Sequence, residues 1–291
     1  MSRWLYHGIA GVMLLAGTAG SMAQRGELDL TVEAPASLAP MADRVRNIDR
    51  QQLAGVLARA GLRVPPRVHV TLIPEGASRA RATPRWIVGE AFGFRNVVIF
   101  PARVGPYPYG SLESVVTHEI VHLALSAQAG DGPLPRWFHE GVATSVEQGW
   151  GITSQLRLLL ATVRDPDLAD LGRLFDSETR QENASAYLIA AALVSDVRER
   201  HGAAVPGAIV DRVARATLFA HAFELQTGET PDEAAARAWG PYRRWTNYIP
   251  VVTSGSALWI GILTLAFVAF LATLRKRARR RRQWDEGERD A

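Results

Sequence analysis

The sequence predicts an α+β fold: a small N-terminal mixed β-sheet with helices, then a helical C-terminal part, and finally one C-terminal transmembrane helix. Three observations lead there. Short alternating runs closed by Pro or Gly dominate the first hundred residues, the mark of half-buried strands. From Ser111 onward apolar residues recur at helical spacing. Residues 251–274 then form a run of 24 residues without a charge. Strands first and helices after is the order of an α+β chain.

Residues 1–23 carry Arg3, an apolar run from Ile9 to Ala16, and the small-residue end Ser21-Met22-Ala23. That order reads as a secretory signal peptide. Residues 28–33 alternate apolar and polar as a strand does. The spacing of Val45, Ile48, Leu53, Val56 and Leu57 predicts one helix from Met41 to Ala60, stopped by Gly61. Residues 67–73 read as a strand closed by Pro74, and 75–84, rich in Ala and Arg, as an exposed loop. Trp86 to Val88 and Asn96 to Phe100 read as two further strands, separated by Gly89 and Gly93. Helical patterns follow over 111–125, 139–148, 153–162, 184–201 and 206–225. Pro106 to Tyr109 makes a stiff turn, and residues 240–250 make a short link to the membrane.

A 24-residue apolar helix is about 36 Å long, enough for a hydrocarbon core of about 30 Å. Seven cations follow it at once in 275–282, which marks the tail 275–291 as cytoplasmic. The domain of residues 24–245 therefore faces outward, in the periplasm or extracellular space, on a single-pass protein of the inner (plasma) membrane. The chain's net charge of +4 belongs to the tail, because residues 25–250 hold 24 Arg against 25 Asp plus Glu. Nothing in that part resembles a surface that tracks phosphates, so nucleic acid is excluded as a partner. With no cysteine anywhere, a metal site here must use His and carboxylate ligands.

His118-Glu119-Ile120-Val121-His122 fits the pattern HExxH within a helical stretch. Residues four apart on a helix share a face, so both imidazoles reach one ion, and Glu119 between them can take a proton from an activated water. Zinc in a catalytic site takes three protein ligands and keeps one position open. Two candidates for the third stand side by side in Trp137-Phe138-His139-Glu140-Gly141-Val142-Ala143. Neighbours on a helix point about 100° apart, so only one of His139 and Glu140 faces the pair.

With His118, Glu119, His122 and the 137–143 run, the chain resembles the gluzincin metallopeptidases, the thermolysin-like group with a zincin-like fold. The resemblance spans 28 to about 245. Phe223 to Gly228 with Trp239 is similar to that group's C-terminal helical part. It implies that Glu140 is the third zinc ligand, that Glu119 is the general base, and that Tyr187 is a candidate to stabilise the oxyanion. It further implies that an edge strand beside the metal holds the substrate backbone, with 96–100 as the candidate. One departure stands out. Where the group carries an acidic residue one turn past the third ligand, this chain has Thr144, which leaves the support of a ligand histidine to other residues. The expected activity is hydrolysis of peptide or protein substrates by a membrane-anchored zinc metallopeptidase. The alternative is a catalytically weak or inactive metal-binding or partner-binding module of the same fold.

Overall fold

The structure is a computed structural model that describes residues 28–105, 110–147, 167–177 and 179–246, together with Leu263, Phe267 and Phe270. Its architecture is mixed α/β, a small sheet and ten helices among the described residues. Strand β1 (Asp29–Glu33) leads through helices α1 (Ala39–Arg46) and α2 (Arg50–Arg59) to β2 (Arg67–Leu72). Helix α3 (Ser78–Ala82) precedes the hairpin of β3 (Gly89–Phe92) and β4 (Asn96–Ile99). The sheet order is β1-β2-β4-β3, with β1, β2 and β4 parallel and β3 antiparallel to β4. The mutual register is fixed by pairs such as Val70 with Val97 and Ala91 with Val97.

Side-chain alternation shows which strand is central. In β2, Val68, Val70 and Leu72 are buried while Arg67 is exposed. In β4, Val97 and Ile99 enter the main core, and Val98 joins Phe100 and Ala80 in a second small cluster on the other face. A strand apolar on both sides belongs inside a sheet. Arg103 ties the second face together: its guanidinium pairs with Glu75, donates to the carbonyls of Ala80, Pro84 and Ile87, and lies over the Phe100 ring.

Helices α4 (Leu112–Ala129) and α5 (Arg136–Glu147) follow, then α6 (Leu168–Phe175), α7 (Arg180–His201), α8 (Val205–Val213), α9 (Phe219–Thr227) and α10 (Pro231–Thr246). Helix α4 is nearly surrounded, with Val115, Val116, Ile120, Val121, Leu123 and Leu125 all buried. Gln128 near its end locks α2 to α8 by donating to the carbonyls of Gly61 and Gly207.

Several elements differ from the sequence expectations. The helix expected over 41–60 is two helices, because Asp49 accepts from the backbone N–H groups of Gln51 and Gln52 and starts a new one. The 75–84 loop contains α3. Gly89 lies within β3, where it was expected to end a strand, and Gly93, with φ of 61°, makes the turn instead. The helix expected over 206–225 is broken into α8 and α9, with Ala216 at φ 64° between them. The link expected at 240–250 is helical as far as Thr246.

The expectation of a C-terminal transmembrane helix is corrected. A span needs about 20 continuous apolar helical residues, and among the described residues no helix is long and apolar enough to cross a membrane. Within 251–274 only Leu263, Phe267 and Phe270 are described, helical and exposed, and the rest lies outside the described residues. The segments expected to be a signal peptide (1–23), a turn (106–109), a helix (153–162) and a cytoplasmic tail (275–291) also lie outside them.

Candidate metal centre

Helix α4 is started by Ser111, whose hydroxyl accepts from the N–H of Ser114, and it ends at Gly130, with φ of 61°. Two turns in, it presents His118 and His122 on one face, their Nε2 atoms 3.1 Å apart. Helix α5 begins at Arg136 directly after Pro135, and it is set very close to α7 at Gly141. A Cβ there would lie 2.6 Å from the Ala190 carbonyl oxygen and 2.7 Å from Val194 Cγ2. With Gly141 set against α7, the preceding residue, Glu140, faces α4. Its Oε2 lies 3.3 Å from Nε2 of both histidines.

One ligand atom from each of His118, His122 and Glu140 falls within 4.8 Å of the others, and the group is shielded from solvent: His118 is 1% exposed. Two imidazoles and one carboxylate converging on a point inside a protein can hold a metal ion, and repulsion between their lone pairs is what a cation relieves. The geometry also separates the two candidates for the third position. His139 is not part of the converging group; its ring lies beside that of His122, centroids 5.6 Å apart.

The electrostatics follow from burial and proximity. Burial tends to raise the Glu140 carboxyl, but His122 and His118 beside it outweigh that and hold it well below the usual carboxylate range. Glu119 is 4% exposed, and burial raises its carboxyl above the ordinary value against the pull of His122 and His118. Burial lowers His139 to about 4, so its ring is neutral at neutral pH.

These groups line a cleft of about 730 Å³. One wall is β3 with the chain leading into it, including Trp86, Val88 and Gly89, and the opposite wall carries Arg136, Asn183 and Tyr187. Glu119 rests directly against β3: a Cβ on Gly89 would lie 2.6 Å from its Oε1. Tyr187 stands beside the histidines, its ring centroid 6.1 Å from that of His118.

The open edge of the sheet at the cleft is β3, which corrects the expectation for residues 96–100, since β4 is interior. Phe100 N–H donates to the Val88 carbonyl, so this facing pair is hydrogen-bonded. The antiparallel alternation then bonds Glu90 with Val98 and Phe92 with Asn96, and directs the N–H and C=O groups of Gly89 and Ala91 outward.

His69 is away from the cleft, bonded to Thr31 and near Glu33, and His221 is exposed. Thr144 is buried, and its Oγ1 has no hydrogen-bond partner among the described residues. Sequence reasoning missed Gly89 and Arg136. Arg136 stands one helical turn before Glu140, a spacing that could have signalled it. No family model, no curated protein and no solved structure matches this chain.

Proposed function

We propose that this chain is a zinc-dependent metallopeptidase of the gluzincin type, hydrolysing peptide bonds. The observation that carries the reading is the convergence of His118, His122 and Glu140 in a cleft that also holds Glu119 and an open strand edge. Two histidines and a glutamate without thiolate are a donor set that suits zinc in a catalytic role. Bound there, zinc supplies a Lewis acid that polarises a carbonyl and acidifies water.

The chain's own residues supply the rest. Gly89 and Ala91 offer outward N–H and C=O groups to an extended substrate backbone, which gives affinity without demanding a sequence. Glu119 takes the proton of the attacking water and returns it to the leaving amine. The burial that raises its carboxyl suits it to both transfers. Tyr187, from α7, is the candidate donor to the oxyanion.

The test is metal content and cleavage of a peptide library by the full chain, wild type beside Glu119→Gln. One zinc in each, with cleavage by the wild type alone, is the expected result. A wild type without zinc refutes the assignment. A second reading, a weak or inactive metal-binding module, is favoured by Thr144, which offers no carboxylate to orient a ligand histidine. Zinc in both proteins with cleavage by neither would support it.

A further inference from the structure

A carboxylate can offer a metal either oxygen or both, so something must fix which one Glu140 presents. Its Oε2 faces the two histidines. Its Oε1 is turned toward Arg136, one turn earlier on α5, with Nε at 4.0 Å. Arg136 is itself held from outside the site. Its Nη1 donates to Asp176, its Nη2 donates to the Phe175 carbonyl at 3.4 Å, and its guanidinium lies 5.0 Å from the centre of the Phe175 ring.

Those partners form the C-terminal end of α6, where the last carbonyls lack intrahelical donors and a cation is favoured. Asp176 is exposed, and the buried part of the anchor is Phe175. Phe175 is 1% exposed, its carbonyl also accepts from Asn183 Nδ2 at 2.8 Å, and its ring meets Tyr187 edge-on at 5.4 Å. An arginine fork fixed at three points is oriented in a way a free surface cation is not.

We propose that Arg136 is the positioning residue for the third metal ligand: anchored on the end of α6, it holds Oε1 of Glu140 so that Oε2 is the atom presented to the metal. The inference rests on the reading of His118, His122 and Glu140 as a metal site. It also accounts for Thr144. Orientation is applied here by a cation to the carboxylate ligand, where the gluzincin pattern applies it by a carboxylate to a histidine.

The test is zinc affinity of the metal-free full chain, measured by competition with a chromogenic chelator, for wild type, Arg136→Gln, Arg136→Lys and Asp176→Asn. Residues that orient metal ligands contribute about 10–100-fold in affinity. Arg136→Gln should weaken zinc by that factor while the thermal midpoint of the metal-free protein stays near wild type. Arg136→Lys should restore part of the loss through its charge. Asp176→Asn should give a smaller loss, and it carries the test if Arg136→Gln does not fold. The cobalt-substituted Arg136→Gln protein should show an altered visible spectrum, which a merely structural role would not produce. Tight wild-type binding with unchanged affinity in Arg136→Gln and Asp176→Asn overturns the role of Arg136 alone. A wild type that binds no zinc overturns the metal site together with it.

Discussion

Replacing Gly89 by Ala tests whether the edge strand and the general base share one space. The added Cβ would lie 2.6 Å from Oε1 of Glu119 and 3.0 Å from both its Cδ and Cγ. Non-bonded carbon contacts settle at about 3.5–4.0 Å, so the carboxylate must retreat by roughly 0.5–1 Å or push the strand aside. Glu119 is 4% exposed and cannot swing into water. Catalytic groups tolerate errors of about 0.5 Å, and a misplacement of about 1 Å costs on the order of 100-fold in rate. The expected fall in kcat/KM is therefore about 100-fold, equivalent to about 2.7 kcal/mol of transition-state stabilisation. Stability should change less, because alanine gains about 0.5–1 kcal/mol over glycine within a strand and this offsets part of a packing cost of about 1–3 kcal/mol. The assay is peptide cleavage with zinc content measured on the same preparation. Since Gly89 is not among the three converging ligands, zinc should stay bound. Cleavage within about threefold of wild type would refute the shared-space argument, and so would loss of the zinc.

Other substitutions probe the frame around the site. Gly207→Ala would put a Cβ onto the Gly61 carbonyl, where backbone meets backbone and no side chain can yield; a loss of about 3 kcal/mol or more in urea unfolding is expected. Arg103→Ala deprives Glu75 and the carbonyls of Ala80, Pro84 and Ile87 of their donor. It should cost about 3 kcal/mol, and it should raise KM more than it lowers kcat, because these residues lead into β3. For the metal-free protein, His139 titrates in the folded state at about 4 against 6.5 when unfolded. Its neutral form therefore adds stability that is fully present above about 6.5 and lost as pH falls toward 4, roughly 3 kcal/mol in all. Urea midpoints followed across that window should fall, and His139→Gln should flatten the slope. Cleavage should also decline as pH drops through a value above the ordinary carboxylate range, because burial raises Glu119 and a protonated carboxyl cannot act as base.

The candidate metal centre was legible where its logic is local. His118, Glu119 and His122 lie within one helical turn and a residue, so their shared surface follows from helix geometry. The choice between His139 and Glu140 was not local, since which of two neighbours faces α4 depends on how α5 packs between α4 and α7. Gly89 misled for a related reason. A glycine between apolar runs reads as a stop, yet here it is a strand residue made small by a carboxylate from a helix thirty positions later. Helix α3 exists in an Ala- and Arg-rich stretch whose carbonyls are collected by Arg103, a tertiary cause that no local pattern carries. The break after Arg46 could have been seen: Asp49 is a good N-cap, but the apolar spacing runs through it unchanged. Ala216 at positive φ gave no signal, since alanine seldom adopts that conformation.

The close contact at Gly141 also bears on when the site comes into being. A chain released only as far as Glu147 already owns the three converging side chains and Glu119. It lacks α7, against whose Ala190 and Val194 the third ligand's helix is set, and it lacks α6, which anchors Arg136. Assembly of the candidate metal site is thereby tied to arrival of the C-terminal half of the domain. A ribosome-bound chain of that length would carry the signature residues without yet possessing the assembled site.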